Sequence, residues 1–188
     1  MKNFFKVVVL FLSINLYANP TNALYLELGF GVALEDSVQT QTGFEYTYER
    51  QYLLDAMLGF QYGLYRVELE QSWQKDDLYS HGRGKSEGDF IQKSQMFNLF
   101  YSGYNKSNFL TSIGFGVGMS SIELDDSYTK RIKNDNIFTA QGILSIGYKM
   151  GENLVLAPKY TLKYLEKSDD FEAKYNHQIL FSIRYLFN

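Results

Sequence analysis

Cysteine is absent from the 188 residues, so no disulfide framework, thiol nucleophile or cysteine-ligated zinc is available. Histidine occurs only twice, which leaves little material for a general base or a metal centre. Proline also occurs twice, against 16 tyrosines, 15 phenylalanines and 15 glycines, a mixture that favours strands. Beyond the first eighteen residues no run of 18 apolar residues exists, which excludes transmembrane helices.

Positive charge is scarce as well. The net charge is -3, from 18 Lys+Arg against 21 Asp+Glu. The first residues, MKNFFKVVVLFLSINLYA, place Lys2 and Lys6 before the apolar stretch Val7 to Leu12 and end on the small Ala18. That is the layout of a secretory signal peptide, too short in its apolar part to span a bilayer as a helix. Residues 1–18 are therefore expected to be removed, with Ala23 as the alternative cleavage position, leaving 19–188 as one domain. Loss of Lys2 and Lys6 takes the basic count to 16 and the net charge to -5, which disfavours nucleic-acid binding.

What the remainder has is period two. ALYLELGFGVAL sets Leu24, Leu26, Leu28, Phe30, Val32 and Leu34 against Tyr25, Glu27, Gly29, Gly31 and Ala33. LDAMLGFQY, YRVELEQSW, a stretch near Ser94 to Tyr101, TSIGFGVGM, a stretch near Phe138 to Lys149, LVLAPKYTLKY and HQILFSIRYLF repeat the alternation, giving eight strands. Links near Gly63-Leu64, Ser102 to Ser107 and Met150 to Asn153 are short. Those near Glu35 to Glu49, Lys75 to Lys93, Ser121 to Asp135 and Glu166 to Lys174 are long and polar. Short turns on one rim, long loops on the other and an even strand number fit an antiparallel up-and-down transmembrane barrel.

A soluble barrel would turn the apolar face inward, and a membrane barrel turns it to lipid. Gly29, Gly31, Gly114, Gly116, Gly118 and Gly147 would weaken strands on a solvated face. Inside a narrow cylinder they leave room for long side chains from other strands. The apolar face also carries Tyr62, Tyr65, Trp73, Tyr101, Tyr148, Tyr164 and Tyr185 mostly near strand ends, where aromatic girdles sit. The expected lumen then holds Glu27, Asp55, Glu68 and Glu70 against Arg66, Lys149, Lys159, Lys163 and Arg184. An eight-stranded lumen is only wide enough for such side chains to fill, and near balance of charge is what burial requires. Glu27 is expected to meet Arg184, and Glu68 or Glu70 to meet Lys159 or Lys163.

With Gly114-x-Gly116-x-Gly118, Gln141 to Gly147 and the Tyr185/Phe187 ending, the chain resembles the small eight-stranded outer-membrane barrel superfamily typified by OmpA and OmpX. Tyr185 and Phe187 look like that family's terminal assembly signal, although Asn188 follows the aromatic that usually ends the chain. The resemblance implies residence in the bacterial outer membrane, delivery by periplasmic chaperones and the barrel-assembly machinery, and roles from adhesion to envelope integrity.

Some barrels of this kind modify lipid A, chemistry that needs a nucleophile, a histidine base and an orienting acid within reach of one another. His177 opens the last strand, but Ile179 and not serine lies two positions on. His81 sits in a loop with Asp76, Asp77 and Ser80, a composition expected of a hydrated surface loop. The glycine run Gly114-x-Gly-x-Gly is followed by no helix and is not a nucleotide fingerprint. The carboxylates Asp76, Asp77, Glu87, Asp89, Glu123, Asp125 and Asp126 alternate with Lys75, Arg83, Lys85, Lys130 and Arg131, and read as loops meeting lipopolysaccharide or a host surface rather than as a metal site. The expectation is a monomeric barrel without catalytic residues, metal or cofactor, displaying four extracellular loops. A lipid A-modifying enzyme and a narrow solute channel are the alternatives.

Overall fold

The computed structural model describes residues 22–34, 37–40, 45–80, 87–104, 108–126 and 131–187. The expected signal segment, His81 and most loop tips lie outside them. Alternation makes long strands, and β8 runs on through Pro158: β1 (Asn22–Ala33), β2 (Ser37–Gln39), β3 (Glu45–Tyr62), β4 (Tyr65–Ser80), β5 (Glu87–Tyr104), β6 (Phe109–Asp126), β7 (Ile132–Met150), β8 (Leu154–Leu165) and β9 (Lys174–Phe187). Every pairing is antiparallel, and β1 pairs with both β9 and β3, closing the sheet. The short β2 continues the register of β1 on β3, so the cylinder has eight staves.

Its pitch follows from the pairing. One circuit runs from Val32 through Ile179, Tyr160, Leu144, Ile113, Tyr101, Tyr65 and Tyr62 to Asn22, ten residues back along β1. Ten residues of stagger over eight strands set a strand tilt of about 40°. The left-handed Gly63, at φ 57°, sits in the two-residue link between β3 and β4, and Gly151, at φ 82°, in the turn between β7 and β8.

The two faces differ as a membrane requires. Phe30 and Phe115 are each 59% exposed on the outer wall, whereas Glu27, Lys163 and Asn176 are 0% exposed within. The exposed apolar belt meets lipid, and it is bounded by aromatics. On the periplasmic rim Tyr65 stacks edge-on with Tyr101 at 5.7 Å, Phe109 lies 5.1 Å from Tyr148, and Tyr185 lies 5.2 Å from Phe187. Near the opposite rim stand Tyr52, Trp73, Phe138, Tyr164 and Tyr175.

Three of the expected loops are largely strand. β3 begins at Glu45, β4 runs to Ser80 with β5 from Glu87, and β6 runs to Asp126 with β7 from Ile132. The hairpins rise past the upper girdle, where the polarity of the faces inverts. Phe90, Ile122, Leu124, Ile137 and Leu165 turn inward there and pack with Phe171 from the β8–β9 connection. That connection is pinned by an antiparallel bridge from Phe171 to Thr40 and by Asn134 donating to Asp170 at 2.9 Å. A second apolar cluster, Ala23, Tyr25, Val155 and Leu186, closes the periplasmic end. The lumen is therefore not lined by glycine and ions alone.

One irregularity interrupts the ladder between β6 and β7. Ser120 pairs with Ile137, but Ile122 pairs with Asn134, so Asp135 and Asn136 oppose Ser121 alone. Asn136 has φ 61°, left-handed backbone that Asn tolerates and a β-branched residue does not. Asn136→Val is expected to cost about 1–3 kcal/mol, and Asn136→Gly to stay within about 0.5 kcal/mol of the parent, in urea unfolding midpoints of the refolded protein.

Candidate functional site: the ionic lumen

Side chains at inward positions of seven staves meet inside the cylinder, and β6 offers them the glycines Gly114 and Gly116. Glu27 on β1 is the hub: Arg184 Nε on β9 donates to its Oε2 at 2.6 Å, and Lys159 Nζ on β8 stands 2.5 Å from its Oε1. β1 and β9 are neighbours and place Glu27 directly opposite Arg184. Lys159 also donates to Met57 Sδ at 2.9 Å. All three charges are buried.

A second group forms on β4. Tyr25 OH donates to Glu68 Oε1 at 2.7 Å, and Arg66 Nε lies 3.1 Å from the same oxygen. The Arg66 contact is ionic rather than a directed hydrogen bond, because its guanidinium lies over the Phe100 ring at 4.0 Å. Phe100 rests in turn on β6, where a Cβ at Gly114 would come within 2.5 Å of the ring. Glycine is needed there so that the aromatic can lie against bare backbone. Gly59 serves Tyr25 in the same way.

Glu70 completes the centre. Its Oε2 accepts from Asn98 Nδ2 at 2.7 Å and from Gln141 Nε2 at 3.0 Å, and Lys163 Nζ lies 4.0 Å from its Oε1. Gln141 also donates to Asn98 Oδ1 at 2.8 Å, and Lys163 to Ser72 Oγ at 3.1 Å. Above this, Gln74 donates to Asp76 at 2.8 Å and accepts from Asn176 at 2.9 Å and Gln178 at 3.3 Å. A hydroxyl chain joins Ser94, Ser120 and Thr139 at 2.8 and 2.7 Å.

The expected pairs are thus placed as follows. Glu27 meets Arg184, and Glu70 meets Lys163. Lys159 reaches Glu27 instead of β4, because one intervening strand is within the span of a lysine. Asp55 is in the lumen but has no ion-pair partner among the described residues, and its Oδ1 accepts no hydrogen bond. Lys149 is exposed beyond the periplasmic rim, which removes it from the interior set. Asp76, expected in a loop, is inward and buried instead, since β4 continues past it. Tyr25, Asn98 and Gln141, which were not expected as site residues, carry as many contacts as the charges; only their inward parity marked them.

Outside the lumen, Lys75 pairs with Asp89 at 3.0 Å, Arg131 with Glu123, and Lys167 with Glu172 at 3.0 Å. Among the described residues no His, Cys, Asp or Glu group is arranged to hold a metal ion. His177 faces outward, its Nδ1 2.7 Å from Tyr160 OH. Tyr185 and Phe187 stand exposed at the periplasmic rim, in the lower girdle.

No protein-family model matches the chain. A curated relative, one of the subunits of an ATP-dependent helicase/nuclease from Clostridium botulinum (strain Alaska E43 / Type E3), is 31% identical over 90 residues. That stretch is 47% of this chain but only 7% of the relative. Solved structures match far more widely. Neisserial surface protein A aligns over 87% of this chain and 97% of its own, with a TM-score of 0.66 and 12% identity. OprG of Pseudomonas aeruginosa aligns over 88% and 96%, at 0.61 and 18%. This is the fold of the small outer-membrane barrels. The attachment invasion locus protein Ail of Yersinia pestis aligns over 87% and 99%, at 0.50 and 14%. At these identities the likeness concerns the outer-membrane barrel itself, eight staves with an apolar exterior, and not the contents of the lumen.

Proposed function

We propose that this outer-membrane barrel is a closed anchor that holds rigid hairpins above the membrane for surface contact and envelope stability, and that it does not conduct solutes. The observation that carries the reading is the filled lumen. Apolar side chains occupy each end, and ion pairs and hydrogen-bonded amides occupy the middle. A buried hub of this kind holds its charges only because each faces an opposite one, and opening a water path would break those contacts. The hairpins outside are mixed in charge and paired, as suits a wet recognition surface such as lipopolysaccharide or a host molecule.

Reconstitution of the full-length protein into planar bilayers tests this. The expected record is free of resolved conductance steps in molar potassium chloride, while unheated electrophoresis confirms that the barrel is folded. Regular steps in the wild type, altered in size by Glu27→Gln or Glu70→Gln, would show instead that ions pass the hub.

A further inference from the structure

Below the upper girdle the outer wall is mainly apolar, and a pair of carboxamides interrupts it on β4 and β5. On β4 and β5 the lipid-facing residues Gln71 and Gln95 pair directly with one another, and Trp73 pairs with Lys93 just above them. The pair of glutamines lies two residues below the girdle that Trp73 belongs to, about 5 Å nearer the membrane centre at this tilt. A carboxamide aimed at acyl chains is unfavourable unless something bonds it. Gln71 Nε2 donates to Ser94 O at 3.0 Å, and Gln95 is exposed.

The β6–β7 bulge lies alongside. It brings Ser121, Asp135 and Asn136 to the same spot, so that with the β4–β5 residues and Met119 they line an open cleft of about 490 Å³. The cleft is polar on its upper side and apolar where Met119 faces lipid. Two charged residues line it, Lys93 and Asp135, and they are not paired with each other. Asp135 is held by Lys133 at 2.8 Å and Asp89 by Lys75 at 3.0 Å, while Lys93 is exposed with no carboxylate at ion-pair distance among the described residues.

We propose that this cleft binds the headgroup of an anionic lipid of the outer leaflet that carries a phosphate monoester, with Lys93 on the phosphate and Gln71 and Gln95 on the hydroxyl, ester or amide groups where the chains begin. A membrane lipid is the occupant, and not a soluble anion, because the cleft opens sideways at girdle height and runs into the apolar wall. The lysine supplies the uncompensated positive charge, and the two carboxamides supply donors and acceptors at the depth of a lipid linkage region. Trp73 closes one side with an aromatic face suited to the interface.

Trp73 is also the only tryptophan in the chain, so its emission reports on this cleft alone. The full-length barrel, refolded into phosphatidylcholine vesicles, is compared with 5 mol% brominated phosphatidylcholine or 5 mol% brominated phosphatidate. The expected result is two- to fivefold stronger quenching by the phosphatidate than random contact gives, unchanged by millimolar inorganic phosphate. Lys93→Gln should bring the two lipids to equality while quenching by brominated phosphatidylcholine stays as in the parent, which shows that insertion is intact. Gln71→Leu with Gln95→Leu should weaken the preference in the same direction. Equal quenching by both lipids in the parent, or a preference that survives Lys93→Gln, would overturn the proposal. So would competition by free phosphate, which would mark a soluble-anion site, or loss of all lipid quenching as protein density rises, which would show that a second copy covers the face.

Discussion

Glu27→Ala is expected to lower the stability of the folded barrel by about 3–5 kcal/mol, because it leaves Arg184 and Lys159 buried without the carboxylate both are paired to. Much of that is the desolvation of two cations and not the worth of the pairs. The distinction can be measured. Replacing the whole hub with apolar groups of similar length, Glu27→Leu with Lys159→Met and Arg184→Met, removes the charges together and is expected to return the urea midpoint to near or above that of the parent. Glu27→Gln should fall between, keeping the acceptor oxygen for Arg184 but losing the charge. Folding is followed by the mobility of unheated samples, so a variant that never closes is distinguished from one that closes and melts early. A Glu27→Ala barrel as stable as the parent would mean that water reaches the hub and screens it. A triple variant as damaged as the single one would mean that the ions select the closed register and do not merely occupy it.

Which face each residue takes could be read from the sequence, because period two is a property of the backbone and survives any register. Glu27 opposite Arg184 could be read as well: the strands that close the cylinder are neighbours, and both residues were counted from the same rim. Pairs across the lumen could not. A stagger of ten residues shifts heights from stave to stave, and lysine is long enough to choose among several acids, so Lys159 went to Glu27 and only Lys163 to Glu70. The upper hairpins were hidden for a different reason. Their parity continues without a break, but above the girdle Ile122 and Leu124 face inward while Glu123 and Asp125 face water, the reverse of the pattern below. A reading that followed polarity instead of parity stopped each strand at the interface and took Asp76 for a loop residue. The bulge at Asn136, and with it the cleft beside Trp73, left no signal in composition or spacing.

Close approach between β5 and β6 makes the sharpest contrast available in one residue type. A Cβ at Gly118 would stand 2.0 Å from Gln95 O and 2.8 Å from Met96 Cα, both backbone atoms that no rotamer change can move. At Gly142, on the outer face of β7, a Cβ meets nothing within 4 Å. Gly118→Ala is therefore expected to destabilise by about 1–3 kcal/mol or to prevent closure, while Gly142→Ala is neutral or stabilises by up to about 1 kcal/mol through the unfolded chain. The substitution is the same in both, so differences in strand propensity and unfolded-state entropy largely cancel between them. What remains in the gap between the two urea midpoints is the cost of pushing two strands apart in a narrow cylinder. Equal midpoints would show that β5 and β6 yield locally, and that the glycine row at Gly114, Gly116 and Gly118 accommodates Phe100 and Asn98 without holding the wall itself together.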